Sequence, residues 1–117
     1  MKTQKLKMLA DYLDSNELPD WDFTQLCHCA VGNALKIFPE FADIVTKETH
    51  GIIESWRRSG LTFDLVATFF EISEAINDAL FLNEGEARMY TDFPYRQECL
   101  TPKQVAANIR HLIGQEI

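Results

Sequence analysis

Leu6, Leu9, Ala10 and Leu13 recur at spacings of three and four residues, which places them on one stripe of a helix with lysine and aspartate on the other faces. The spacing predicts a first helix over residues 3–15. The run Asp14-Ser15-Asn16 and then Pro19, which lacks a backbone donor, should end it before Trp21 and Phe23 re-enter the core. Asp22 followed three residues later by Gln25 fits a reciprocal helix cap. Leu26, Cys27, Ala30, Val31, Ala34, Leu35 and Phe38 then continue the helical period until Pro39 stops it, so one second helix running through Cys29 is expected. Ala30, Gly32 and Ala34 are small enough to let a neighbouring helix approach closely.

The chain can restart at Pro39, since proline is tolerated in a first turn, and Phe41, Ile44 and Val45 recur with helical spacing. Ile52, Ile53 and Trp56 form a further apolar group beyond Gly51, with a stop at Ser59-Gly60. Thr62 can cap the next segment, in which Phe63, Val66, Ala67, Phe69 and Phe70 imply burial on more than one side. Ser73 offers a fresh cap for a short helix carrying Ile76, Ala79 and Leu80. Residues 83–100 show no steady period and contain Gly85, Asp92 and Pro94, which predicts a long loop. Thr101-Pro102-Lys103-Gln104 is a complete helix start: a capping threonine, proline at the first helical position and a reciprocal glutamine. Val105, Ile109, Leu112 and Ile113 form the buried edge of that last helix, with Lys103, Asn108 and Arg110 expected towards water. No pair of alternating apolar runs would build a sheet. The expected fold is all-α, a compact bundle of five to six short helices with one long loop before the C-terminal helix, in a single domain over residues 1–117.

Composition narrows the function classes. Among 117 residues, 46% are hydrophobic and 25% charged, as in ordinary globular proteins rather than disordered ones. Eleven basic and eighteen acidic side chains leave a net charge of −7, which disfavours a partner held by phosphate neutralisation. Nucleic acid and anionic membrane are therefore unexpected partners. The longest stretch without a formal charge, Phe23 to Leu35, is shorter than the roughly 20 residues of a spanning helix. Three cysteines, Cys27, Cys29 and Cys99, cannot all pair within one chain, and reduced thiols in a cytoplasmic protein are expected.

Candidate chemistry is sparse. Cys27-His28-Cys29 holds good zinc ligands at a poor spacing, because helix residues two apart point about 200° away from each other. Cys29 faces off the apolar stripe and is free to touch another element. His50 and Glu54, four apart, could orient a base or contribute to a metal site, although Gly51 between them weakens the helix. The five glycines stand isolated, so the usual P-loop and dinucleotide fingerprints are absent, as is a G-x-S-x-G elbow. No catalytic residue and no cofactor is assigned. Trp56-Arg57-Arg58 reads as a core tryptophan beside two solvated arginines. Residues 74–82, a conceivable DNA-reading segment, carry Glu74 and Asp78 and no basic residue. Arg88, Tyr90, Phe93, Tyr95 and Arg96 concentrate the residue types that dominate binding energy at interfaces, which makes them the first choice for an interaction surface. The competing role for these rings is to pin the loop to its own core.

The segments C-H-C-A-V-G-N-A at 27–34, F-F-E-I-S and A-L-F within 69–81, and T-P-K-Q-V-A-A-N-I-R-H-L-I at 101–113 resemble small helical proteins of bacteria and their phages. The resemblance covers about half of the chain and implies an all-helical fold without implying an activity. The leading expectation is a non-enzymatic acidic module that binds a basic protein as an inhibitor or adaptor, with homodimerisation through spare apolar surface as a related option. The alternative is an enzyme or small-molecule- or metal-binding protein with a site between helices using His50, Glu54 and Cys29. A DNA-binding regulator is a minor alternative. Circular dichroism should show a helix-dominated spectrum and the protein should pass through heparin unretained; a sheet-dominated spectrum or tight retention would overturn this reading.

Overall fold

The computed structural model describes residues 1–22, 29–49, 64–82, 93–96 and 100–114. The helical periods become α1 (Thr3–Ser15), α2 (Ala30–Ile37), α3 (Pro39–Thr49), α4 (described over residues 64–70), α5 (Glu74–Asn77) and α6 (Pro102–Gly114). α5 runs directly into a π-helical turn, Asp78–Leu82. No strand occurs among the described residues. The protein is an all-α bundle with a radius of gyration of 13.1 Å, close to the roughly 13 Å of a packed chain of this length.

α1 occupies the predicted span, and Leu6, Leu9, Ala10 and Leu13 are all buried. α6 begins as its sequence requires. The Gln104 amide N–H donates to Thr101 Oγ1 at 3.2 Å while the Thr101 N–H donates to Gln104 Oε1 at 2.9 Å, satisfying two donors that helix starts leave unpaired. Ser73 caps α5 by accepting from the Ile76 N–H.

The second helix differs from expectation. It begins at Ala30, because Cys29 is extended (φ −98°, ψ −171°) and acts as the N-cap, so no continuous helix runs through Cys29. The predicted start at Asp22 and Gln25 leads into residues 23–28, outside the described residues. α3 buries Phe41 and Val45, whereas Ile44 is 43% exposed and does not join the core. α4 ends in a Schellman arrangement: Glu71 N–H donates to the Thr68 carbonyl and Ile72 N–H to the Ala67 carbonyl. Glu71 takes the left-handed conformation (φ 55°) that glycine usually fills there. Its carboxylate lies near the Lys2 ammonium, and the Lys2 N–H donates to the Phe70 carbonyl at 2.8 Å, so the first residues close the end of α4.

α1 and α6 form the most extensive helix pair. They run antiparallel, since Lys103 at the start of α6 meets Asp14 at the end of α1, and Arg110 reaches Asp11 and Asp14 at 2.9 and 2.8 Å. The Trp21 indole N–H donates to the Leu100 carbonyl at 2.9 Å, tying the segments that follow α1 and precede α6. On the other side Phe38, Phe41, Phe69, Phe70 and Phe81 bring α2, α3, α4 and the π turn together, with Phe41 and Phe69 stacked at 4.8 Å. Ring pairs of this kind contribute about 0.5–1.5 kcal/mol each beyond their burial. The Lys5 ammonium lies 5.4 and 5.3 Å from the Phe38 and Phe69 ring centres and pairs with Glu40, linking α1 to the aromatic layer.

Ile109 is fully buried in this core. Ile109→Ala should cost about 2–5 kcal/mol in urea unfolding, whereas Ile44→Ala should stay within about 0.5 kcal/mol. Equal effects would contradict the observed packing.

The hydrogen bonds from Arg110 and then Lys103 hold the Asp14 carboxyl below its ordinary value of 3.8. A depressed carboxylate contributes stability that is complete above its unfolded value and is lost as pH falls through the folded one. Asp14→Asn should therefore be less stable than the parent at neutral pH, the difference disappearing as pH falls below the lowered value of the folded carboxyl. Parallel unfolding midpoints from neutral to acid pH would refute the clamp.

Candidate interaction surface

The phase of α6 is set by its cap, and Val105, Ala106, Ile109 and Leu112 consequently point inward. Asn108 lies three residues after Val105 and four before Leu112, and its side chain is fully buried, not turned towards water as its polarity suggested. A buried amide needs partners, because leaving one unpaired costs about 1–3 kcal/mol. Both are supplied by one residue of the loop. Asn108 Nδ2 donates to the Tyr95 carbonyl at 3.0 Å, and the Tyr95 N–H donates to Asn108 Oδ1 at 3.1 Å. The side chain thus imitates a strand neighbour and latches residue 95 to the helix.

Phe93 anchors the same segment. It is buried in the core and meets the His111 ring edge-on at 6.3 Å, so it belongs to the pinning role and not to the exposed contact surface. Pro94, Tyr95 and Arg96 stay exposed, Tyr95 by 38%. The latch and the anchor therefore hold a short segment whose next ring faces water. Of the interface candidates, the structure brings Phe93, Tyr95 and Arg96 together; Arg88 and Tyr90 lie outside the described residues.

The candidate metal and base residues fare differently. His50 and Glu54 lie outside the described residues. Cys29, expected off the apolar stripe, is buried in the core, because the break in the helix at that residue removes the orientation that continuous periodicity implied. Burial pushes its thiol up, against the smaller opposing pull of the Gly32 and Val31 amides. A thiol held protonated inside the core is ill suited as a metal ligand. Asn33, also buried, donates to the Cys29 carbonyl at 2.8 Å, while its amide oxygen finds no hydrogen-bond partner among the described residues. Among the described residues, no three His, Cys, Asp or Glu side chains are grouped to hold a metal ion. Residues 74–82 do not form a regular α-helix, since four α-helical residues give way to the π turn.

Charge is distributed unevenly between paired and unpaired groups. Lys2, Lys5, Lys103 and Arg110 are engaged by carboxylates of the same chain. Glu17, Asp20, Asp43, Glu48, Asp64 and Glu74 are exposed and make no ion pair among the described residues, against Lys7, Lys36 and Lys47 in the same condition. Among the described residues, exposed carboxylates without an ion pair thus outnumber exposed ammonium groups without one, six against three. No described helix is long and apolar enough to cross a membrane. Comparison with known protein families, curated proteins and solved structures returns no match.

Asn108→Leu should preserve the helical circular dichroism spectrum, lower stability by about 1–3 kcal/mol and accelerate hydrogen exchange at the Tyr95 amide. Unchanged exchange at that amide would show that the latch does not hold the loop.

Proposed function

We propose that this chain is a non-enzymatic interaction module that docks on a basic protein surface, acting as an inhibitor or adaptor in a cytoplasmic setting. The observation that carries this reading is the surplus, among the described residues, of exposed carboxylates without an ion pair over exposed lysines in the same condition, while Lys2, Lys5, Lys103 and Arg110 are held by carboxylates of the same chain. Such a surplus attracts a cationic surface and raises its rate of encounter. Paired lysines and arginines are poorly placed to neutralise phosphates, which weighs against nucleic acid. A homodimer would set acidic surface against acidic surface, so a basic partner is favoured over a second copy.

Tyr95 and Arg96 provide the short-range contact in this reading. Tyrosine and arginine are over-represented among residues that dominate binding energy. Because Asn108 and Phe93 already restrain the backbone around Tyr95, less conformational freedom is lost when a partner arrives.

Affinity capture at low ionic strength should recover a protein whose crosslinks to this chain fall on a basic surface, with binding weakening as salt rises above about 0.15 M. Tyr95→Ala should then weaken binding by about tenfold or more without altering the unfolding midpoint. Recovery of no protein partner, with a concentrated sample remaining monomeric, would overturn the proposal.

A further inference from the structure

We draw no further inference here: the strongest candidate, the buried N-terminal end of α2 where the Cys29 thiol stands one turn from the orphaned Asn33 amide oxygen, is shut inside the core, and nothing among the described residues shows what would occupy it.

Discussion

The antiparallel packing of α1 on α6 is the contact on which the other arrangements depend. These helices come from opposite ends of the described chain, so their union closes a long loop and brings the ends of the bundle together. The apolar edges supply the driving force, since each fully buried leucine or isoleucine contributes about 1.5–3 kcal/mol. Arg110, bridging Asp11 and Asp14, adds little to that sum at the surface, but it selects one register of the helix pair. The register matters because it decides which side of α6 remains to receive the loop before it.

That side carries Asn108. Once Val105, Ile109 and Leu112 face α1 and the core, Asn108 has no route to water and must find hydrogen bonds within the protein. The loop backbone at Tyr95 provides both, and Phe93 fills the space beside His111. The stretch at residues 93–96 is consequently not an appendage. Its inward ring completes the core, while its outward ring is carried on backbone that the helix has already restrained.

The aromatic layer shows the same dependence at the other end of the bundle. Phe69 is only partly buried by its own helix face, yet it stacks on Phe41 and lies beneath Lys5, whose charge is balanced by Glu40. Cations used in this way are balanced by carboxylates of the same chain while staying at the surface. The net charge of −7 is written in the chain, but which carboxylates remain unpaired depends on which helices meet.

Local signals alone determined a large part of this protein. The span of α1, the restart at Pro39, the cap at Ser73 and the full start of α6 follow from residue spacing and from side chains that bond their own backbone, interactions spanning no more than a few residues. Part of the candidate site was legible too, since the dense group of rings and arginines near residue 95 marked the loop, though not which ring turns inward. Only the tertiary structure decided the break at Cys29, the exposure of Ile44, the left-handed Glu71 and the burial of Asn108. Asn108 stands on the apolar stripe by spacing and off it by polarity, and no local rule ranks the two. A buried amide becomes acceptable only when a distant backbone arrives to satisfy it, so the decision belongs to contacts that form after the helices have met.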